Sequence, residues 1–560
     1  MILKFIFKTS STQGIIEKIS LRVAKEVGAE IGLSRDLDKI YVYVKNNFEE
    51  FSKRLSTQLP ISIFLESVEA EVVDEFRDDL KRDFPSISLP PCPKCLEEVK
   101  NPDSPYYYDI FHHCEVCGYK AEGKKTSKEL FENLASKIKD KIKIQTMNGA
   151  FEVGVDFKDA DVVVARDLAA IGKYFFSFKN DAKALASIEK PMMKMKTNLE
   201  FKKKFGPYNA FWVKLPDCMV LELLFDSSDL ELLALKRIDK PVDLVFDVKI
   251  QKPLKAVVSE SDVLVYDGDR GLLPKFEKFV KEGIIGKHKK YVAFSKDDKT
   301  IIKKGDLKNT IEAKEVYAGF YGVLSQWELE DKNVLGFSFY KDDNKIFLYS
   351  KKFGLVEYLD FKFGFDDFEE IFALIARMNE SGKKLVENFV NKRASLFNHA
   401  ISCDISSKSK GIYYLWGLVG ILLGLGDDVE SGVRELLKRA NEAMTKKGPR
   451  IDYKFDGNNL NPLWTIRTAM SFNLAGVDEY LLSYGVVESF AEFLSNIYEE
   501  ANKDNNLDGA IIVGDMFEGE FFAKIYSYIK KNYPTFIPKA LPSSGAIEAY
   551  GSLVIASKGD

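Results

Sequence analysis

The sequence predicts a multidomain protein that combines α+β and α/β architecture. Its 560 residues are enough for three or four domains of about 100–200 residues each. Strand-like and helix-like patterns of apolar residues alternate along most of the chain. A proline-flanked segment with two pairs of cysteines divides the first of these regions from the rest. We therefore expect several small domains in series, with the cysteine segment between two of them.

The composition is that of a globular protein with apolar cores. Hydrophobic residues make up 46% of the chain and charged residues 30%, which is ordinary for folded domains. The net charge of −4 provides no global basic field that would attract nucleic acid or anionic lipid. Basic runs such as 287–290 are typical of solvated surface. We therefore expect that nucleic acid is not a partner.

The apolar segments predict a cytoplasmic protein without a membrane span. The first residues, MILKFIFK, contain two lysines and precede no small-residue cleavage site, so they are typical of a first strand and not of a signal peptide. The longest nearly uncharged run, 411–426, is shorter than the roughly 18–20 residues that cross a bilayer. We predict a buried helix there. In a chain without an export signal, the six cysteines are expected to stay reduced.

Residues 1–88 predict a small α+β sandwich. Apolar residues at helical spacing predict its helices, and alternating apolar residues predict its strands. In chain order the predicted elements are a strand at 3–7, a helix at 14–26, a strand at 40–44, a helix at 48–55 and a strand region at 61–73. This order is close to βαββαβ. Pro85, Pro90 and Pro91 then predict a domain boundary.

The rest of the chain changes from mixed patterns to mainly helical ones. A predicted helix at 127–141 leads to a β-rich stretch at 191–224. A further region begins near Pro241 with strand-like runs at 242–248, 256–265, 291–294 and 334–339. From residue 368 onward the pattern is mostly helical, until a late strand at 509–513.

The two cysteine pairs predict a structural zinc site. Cys92 and Cys95 form one CxxC motif, Cys114 and Cys117 form another, and eighteen residues separate the two. Four thiolates give a closed tetrahedral site with no open position for water, which is typical of structural zinc. Gly118 fits the turn after the second pair, because glycine tolerates a positive φ. A redox-active pair is the alternative, but paired motifs at this spacing favour one zinc ion.

The other two cysteines carry weaker signals. Cys218 lies in an apolar run and is predicted to be a small core residue in a strand. Cys403 precedes Asp404, and no nearby histidine predicts an activated nucleophile there.

Residues 89–120, LPPCPKCLEEVKNPDSPYYYDIFHHCEVCGYK, resemble a zinc finger of the HypF family, the carbamoyltransferases of hydrogenase maturation. HypF proteins have two such fingers in tandem, and this sequence has one. The flanking segments are similar in order as well. Residues 13–18, QGIIEK, match the family's QGVGFR, and residues 188–224 are similar to its YrdC-like portion. Near the end, 510–522 and 541–551 resemble the family's closing motifs.

The resemblance implies four domains. They are an acylphosphatase-like domain at 1–88, a zinc finger at 89–122, a shortened YrdC-like domain at 123–240, and a carbamoyltransferase-like domain of actin-like ATPase architecture at 241–560. It also implies zinc as a structural cofactor, ATP or another nucleotide as a ligand, and a hydrogenase-maturation protein as a partner.

Residues of the first and third family domains are replaced in this sequence. The phosphate-holding Arg of the acylphosphatase motif corresponds to Lys18, which is a point charge and not a bidentate donor. The Asn that orients water falls near Ser34 or Arg35. The nucleotide elements of the YrdC-like domain are not found. We therefore expect no acylphosphatase activity.

The metal ligands of the family's transferase domain are also replaced. Its HHxAH motif corresponds to 316–325, which contain no histidine, and its DGTG corresponds to 338–341. Its late acidic ligand falls at Ser543 or Ser544. A hydroxyl is a poor substitute for a carboxylate at a hard cation. The catalytic residues are thus unknown, and catalysis is predicted to be impaired or lost.

A nucleotide site is predicted near the C-terminus. Gly514 follows a strand and permits close approach of a phosphate, Gly519 opens a helix whose amides favour anions, and Gly545 is expected beside them. Glu430 matches a family residue that contacts ribose, although it can equally serve as a dipole partner at its helix start. Asp515 adds a negative charge, and such glycines also occur for packing alone.

Three functions remain open at this point. The first is an active carbamoyltransferase, which would use carbamoyl phosphate and ATP to modify a partner's C-terminal cysteine for a nickel–iron hydrogenase. The second is a non-catalytic scaffold or regulator derived from HypF, which the missing ligands favour. The third is a factor of transfer-RNA threonylcarbamoylation, which the lack of a basic face disfavours.

Overall fold

The computed structural model contains two compact units, Met1–Phe276 and Glu277–Asp560, here called the N-terminal and C-terminal units. It describes residues 2–11, 13–36, 38–82, 90–114, 116, 123–239, 251–260, 262–269, 273, 278–297, 299–457, 459–539, 541–543 and 545–558. The predicted strand at 242–248 lies outside the described residues.

The N-terminal unit begins with a four-stranded antiparallel sheet and two helices. Its elements are β1 (Ile2–Thr9), α1 (Ile15–Val27), β2 (Ile31–Asp36), β3 (Lys39–Val44), α2 (Phe48–Gln58) and β4 (Leu65–Val73). The strand order is β2-β3-β1-β4. Phe7, Val23, Val42 and Phe51 are fully buried in its core. The five predicted elements are confirmed, and β2, which was not predicted, completes the βαββαβ order.

An eight-stranded sheet forms the larger part of this unit, with strand order β12-β11-β8-β9-β7-β10-β6-β5. The cysteine-segment helix α3 (Pro93–Lys100) precedes it. The strands are β5 (Ile142–Thr146), β6 (Gly149–Gly154), β7 (Val162–Ala165), β8 (Met192–Lys196), β9 (Ala210–Lys214), β10 (Leu232–Arg237), β11 (Lys255–Ser259) and β12 (Asp262–Asp267). The helices are α4 (Lys128–Lys137), α5 (Leu168–Tyr174), α6 (Lys179–Ala186), α7 (Leu199–Phe205) and α8 (Met219–Asp226).

The stretch at 191–224 was predicted to be β-rich, but helices α7 and α8 alternate there with strands β8 and β9. Residues 219–225 are apolar on nearly every side and buried. For such a short run, periodicity alone does not separate a buried strand from a buried helix. Cys218 is buried as predicted, but it lies at the start of α8 and not in a strand.

The C-terminal unit contains two main sheets. A three-stranded antiparallel sheet consists of β13 (Ile285–His288), β14 (Tyr291–Lys296) and β15 (Lys299–Lys304). A five-stranded sheet of order β18-β17-β16-β21-β22 consists of β16 (Val334–Phe339), β17 (Asn344–Ser350), β18 (Gly354–Asp360), β21 (Gly509–Val513) and β22 (Thr535–Phe536). Strands β16 and β21 are parallel neighbours. This parallel pair positions the candidate site.

Helices make up most of the C-terminal unit, as predicted from residue 368 onward. They are α9 (Glu315–Gln326), α10 (Phe368–Met378), α11 (Glu380–Lys392), α12 (Ala394–Ser402), α13 (Ile412–Leu422), α14 (Val429–Glu442), α15 (Pro462–Leu474), α16 (Glu479–Asn505), α17 (Gly519–Lys530) and α18 (Ala546–Lys558). A small hairpin of β19 (Lys454–Asp456) and β20 (Asn459–Asn461) precedes α15.

Helix α13 is the buried helix that the apolar run at 411–426 predicts. Each of its residues is buried. It crosses α14 very closely, because a Cβ on Gly420 would lie 2.3 Å from the carbonyl oxygen of Gly432. Trp416 packs edge-on against Phe490 and Phe521. Among the described residues, no helix has the length and apolarity needed to cross a membrane.

Candidate functional site

The candidate site is a cleft at the carboxyl ends of β16 and β21. Because these strands are parallel neighbours, the residues that follow them meet at one edge of the sheet, where open α/β sheets bind ligands. Tyr340 and Lys341 follow β16, and Gly514 and Asp515 follow β21. An Asp515 carboxylate oxygen accepts a hydrogen bond of 3.0 Å from the Lys341 amide. The two chain segments are thus tied together.

The predicted phosphate-contacting glycines lie at this edge, but the protein itself uses their amides. Gly514 has a φ of 137°, and a Cβ there would lie 1.9 Å from the Phe339 carbonyl oxygen. Its N–H donates to the Ser543 hydroxyl at 3.0 Å. The Gly545 N–H donates to Glu548 Oε2 at 2.7 Å. The glycines therefore serve close packing and internal hydrogen bonds.

Gly519 begins helix α17, as the sequence predicts. A Cβ on Gly519 would lie 2.3 Å from Asn441 Oδ1, so this side chain covers the start of the helix. The same oxygen accepts a hydrogen bond of 2.9 Å from the Glu520 amide. One of the free amides that would favour an anion is thus already satisfied.

Glu430 lies in the first turn of α14 and is bound to a tyrosine. The Tyr413 hydroxyl donates to Glu430 Oε2 at 2.7 Å. Burial, followed by this hydrogen bond, raises the pKa of Tyr413 well above its ordinary value, with further contributions from Glu518 and Asp515. Glu430 is therefore held next to the acidic side of the cleft. Its place in the first turn of α14 suits a partner of the helix dipole, and its side chain is held by the Tyr413 hydroxyl.

Lys289 lies between two carboxylates of the cleft. Its Nζ is 3.8 Å from Glu315 Oε2 and 3.8 Å from Asp515 Oδ2. His288 is nine-tenths buried beside it, with Nε2 3.5 Å from Glu315 Oε2. Burial raises the pKa of Asp515, and Lys289 opposes this rise. A single side-chain ammonium therefore lies between two carboxylates and offsets one of their charges.

Lys289, Glu315 and His288 were not predicted as site residues. Their signal in the sequence is weak, since the basic run at 287–290 resembles solvated surface and Glu315 is one acid among many. Lys289 adopts a φ of 48° in the turn between β13 and β14. A positive φ is uncommon for a residue other than glycine, and Lys289 adopts it at the cleft.

A buried acid closes the floor of the cleft. The Tyr340 hydroxyl donates to Glu548 Oε1 at 2.7 Å, and both residues are 1% exposed. Burial raises the pKa of Glu548, and its hydrogen bond with Tyr340 opposes this rise. This pair was not predicted, because it joins residues that are far apart in the sequence.

We expect the raised pKa of Glu548 to make the stability of the C-terminal unit depend on pH. A carboxyl whose pKa is raised on folding stabilises the fold below its unfolded value, about 4.3, and this contribution is lost as the pH rises through the folded pKa. The Glu548→Gln variant carries an uncharged side chain at every pH, so it lacks this pH-dependent contribution. The wild-type free energy of unfolding should therefore fall relative to that of Glu548→Gln as the pH rises above about 4.3. Urea unfolding at several pH values tests this.

Glu387→Gln is the matched control, because Glu387 is exposed on α11. A pH profile of Glu548→Gln that parallels the wild-type and control profiles would contradict the expectation.

The segment at 316–325, which matches the family's His-rich motif, lies in the largely buried helix α9. Ser338 donates to the Val316 carbonyl oxygen at 2.7 Å. Ser543 accepts from Gly514, and Ser544 lies outside the described residues. In the part of the chain that the structure describes, only the cysteine segment brings three metal-ligating side chains together.

The cysteine segment gathers three thiols at one point. The Sγ atoms of Cys92 and Cys95 are 3.6 Å apart, and those of Cys92 and Cys114 are 3.8 Å apart. All three are buried. Tetrahedral zinc with bonds of about 2.3 Å separates its sulfur ligands by about 3.8 Å. The three thiols thus fit a metal ion, and Cys117 lies outside the described residues.

The surroundings fix this cluster in the N-terminal unit. One apolar core contains the three cysteines together with residues of the first sheet, α4 and α8. Tyr108 donates to Asp226 Oδ2 at 2.5 Å. His112 is buried with Nε2 2.8 Å from Glu98 Oε2, so a carboxylate holds this ring.

The predicted phosphate loop of the first sheet holds an internal ion pair. Arg35 Nη1 lies 3.2 Å from Glu17 Oε1, and Arg35 Nη2 donates to the Ser11 carbonyl oxygen at 2.7 Å. Glu17 is buried, and its burial raises its pKa. The guanidinium at this loop is therefore already matched with a carboxylate of the same domain.

The expectation that no histidine lies near Cys403 is wrong. His399 Nε2 is 3.7 Å from Cys403 Sγ, because residues four apart meet at the end of α12. Burial, with Asp427 and Asp428, nevertheless raises the pKa of Cys403. The thiol is therefore not activated, and Cys403 does not form a nucleophilic site.

No protein-family model matches the chain. A crystal structure of full-length HypF in its phosphate- and nucleotide-bound form matches it with a TM-score of 0.62, over 100% of this chain and 98% of that chain, at 14% sequence identity. The structure of T. kodakarensis HypF gives a TM-score of 0.62 with the same coverage, at 11% identity. The chain has the HypF fold.

The resemblance to HypF is therefore confirmed for the fold along the whole chain, together with the mixed α+β multidomain architecture. A relative named Protein HydE, from Wolinella succinogenes, is 23% identical over 587 residues. The alignment covers 97% of this chain and 99% of the relative.

Proposed function

We propose that this HypF-like protein acts in the maturation of a nickel–iron hydrogenase, with its transferase chemistry impaired or lost. The match to HypF structures over the full chain supports the context, and so does the hydrogenase-related name of the relative HydE. In this proposal the four domains are the acylphosphatase-like, zinc-finger, YrdC-like and carbamoyltransferase-like domains. The last of them begins at Glu277 and not at 241, because β11 and β12 belong to the eight-stranded sheet of the N-terminal unit. The protein works in the cytoplasm with a hydrogenase-maturation protein as partner.

The observation that carries the loss of catalysis is the ion-paired cleft. The ammonium of Lys289 lies 3.8 Å from carboxylates of both Glu315 and Asp515. The ammonium therefore offsets one of the two negative charges that these carboxylates can carry. A divalent cation would have to displace Lys289 or bind against its charge.

The hydrogen bonds of the glycines support the same conclusion. A phosphate cradle needs free backbone amides that point at the ligand. The amides of Gly514 and Gly545 donate to Ser543 and Glu548 instead. A nucleotide at Gly514, Gly519, Gly545 and Glu430 would require these bonds to rearrange, and weak or absent ATP binding is expected.

The metal of the cysteine segment is proposed to be structural zinc. Cys92, Cys95 and Cys114 have the sulfur spacing of a tetrahedral site, and Cys117 is proposed as the fourth ligand. Four thiolates leave no open position, so this ion would stabilise the fold and take no part in a reaction.

A turnover assay tests the proposal. Purified full-length protein is given ATP and carbamoyl phosphate, and release of AMP and pyrophosphate is measured, with T. kodakarensis HypF assayed in parallel as the positive control. We expect release at the level of a protein-free blank. Release that depends on carbamoyl phosphate would show an active carbamoyltransferase and overturn the loss of catalysis.

A second readout tests the context separately from the chemistry. Deletion of the gene in its host should reduce hydrogenase activity, and a Lys289→Ala form should restore it as well as the wild type does if the cleft has no catalytic role. Unchanged hydrogenase activity after deletion would contradict the maturation role.

A further inference from the structure

We propose that the outer edge of β18 binds an extended peptide of a partner protein, with apolar side chains and basic residues. The inference is independent of catalysis in the cleft. It rests on an open strand edge, an adjoining groove and two uncompensated acids.

Strand β18 is the end strand of the five-stranded sheet, paired only with β17. Among the described residues, no other segment is hydrogen-bonded to the backbone of residues 354–360. Val356 is 47% exposed and Tyr358 is 37% exposed, as is usual for an edge that pairs with another chain. The strand contains no lysine and no proline, but it carries Glu357 and Asp360, and its register with β17 shifts at Tyr358, so regular pairing of a further strand is limited to residues 354–357. A short further strand can therefore add to this sheet.

A groove lies directly beside this edge. It has a volume of about 340 Å³ and is lined by Tyr358, Leu359, Phe455, Gly457, Ile497 and Glu500. Phe455, from the β19–β20 hairpin, is 38% exposed. An added strand presents every second side chain to the same face. One apolar side chain of the peptide would thus reach the groove while its backbone pairs with β18.

Two acidic residues on α16 indicate that the peptide bound at this edge carries positive charge. Glu500 and Asp504 are exposed, lie one helical turn apart, and are close enough to Tyr358 to raise its pKa. Neither has an ion-pair partner among the described residues. Like charges four residues apart destabilise a helix slightly, so an external cation would relieve this repulsion. Arginine or lysine in the peptide provides that cation.

Charge also decides between a partner peptide and a second copy of this chain. In a symmetric pairing of two β18 edges, the strand offered by each copy would carry the acids Glu357 and Asp360 and no basic residue to meet Glu500 and Asp504 of the other. Like charges across an interface disfavour association. The observations therefore favour a partner segment that is extended, apolar and basic.

Fluorescence anisotropy with the full-length protein tests the proposal. The probe is a fluorescein-labelled eight-residue peptide that alternates valine and arginine. We expect saturable binding that is at least tenfold weaker for a peptide with glutamate in place of arginine. A version with every second amide N-methylated should bind equally weakly, because it cannot pair with a strand edge.

Two variants locate the binding site. Tyr358→Asn removes the aromatic ring from the strand and groove without adding a charge, Glu500→Lys reverses the rim charge, and both should weaken binding at least tenfold. Glu387→Lys, on exposed α11, is the matched control and should bind as the wild type does. Far-ultraviolet circular dichroism verifies that each variant is folded.

Three outcomes would overturn the proposal. They are no saturable binding of the valine–arginine peptide, equal binding of the N-methylated peptide, and a wild-type dimer in sedimentation that Tyr358→Asn converts to monomer. The last would assign the edge to a second copy of this chain.

Discussion

Cys95→Ser is expected to remove the metal from the cysteine segment and to unfold that segment. Cys95 is fully buried, and its thiol is one of three within tetrahedral spacing. Structural zinc contributes on the order of 10 kcal/mol to the folding of isolated zinc-finger peptides. We therefore expect loss of about one zinc per chain and loss of hydrogen-exchange protection at 92–114. Elemental mass spectrometry and exchange measurements on the same samples test this.

Cys403→Ser is the matched control, since Cys403 lies in the C-terminal unit and is partly exposed. It should retain the full zinc content. A Cys95→Ser protein with unchanged zinc and unchanged protection would contradict a structural zinc site.

Lys214→Met is expected to destabilise the N-terminal unit by about 3–5 kcal/mol, the usual cost of breaking a buried ion pair. Lys214 and Asp217 are 1% and 3% exposed, with Nζ 2.6 Å from Asp217 Oδ2. Lys214 also donates to Asn148 at 2.6 Å. The substitution leaves the Asp217 carboxylate buried without its cation. Urea unfolding, monitored by circular dichroism, measures the loss.

Two further variants separate the ion pair from simple packing. Lys214→Met combined with Asp217→Leu should recover most of the lost stability, because an apolar pair of similar volume avoids the buried charge. Lys173→Met breaks an ion pair with Glu231 in which the lysine side chain is 51% exposed, and it should cost much less stability than Lys214→Met does. A double variant as unstable as Lys214→Met would contradict this account.

Local patterns predict the helices and strands of this protein well where they are long or strictly alternating. The strand at 509–513, the helix that Gly519 opens and the buried helix at 411–426 are confirmed. Helix α8 was missed because its run is short and apolar on most sides. When a segment is buried on every side, its apolar residues show no period that would distinguish a helix from a strand.

The candidate sites also differ in how far local sequence patterns predict them. The cysteine cluster was predictable, since the spacing within one short segment carries the metal geometry. The glycines after β21 were found by position, but the hydrogen bonds that occupy their amides were not. The Lys289 contacts with Glu315 and Asp515 join three distant segments. No local pattern encodes such contacts, because the fold alone brings them together.

The ammonium of Lys289 differs from a bound ion in that it is covalently tethered beside its site. A metal ion occupies its site according to its free concentration and its dissociation constant. A side chain of the same chain is instead present at a fixed effective concentration. The electrostatic balance between Glu315 and Asp515 is thus set when the chain folds. Neither metal starvation of the cell nor added chelator should alter it.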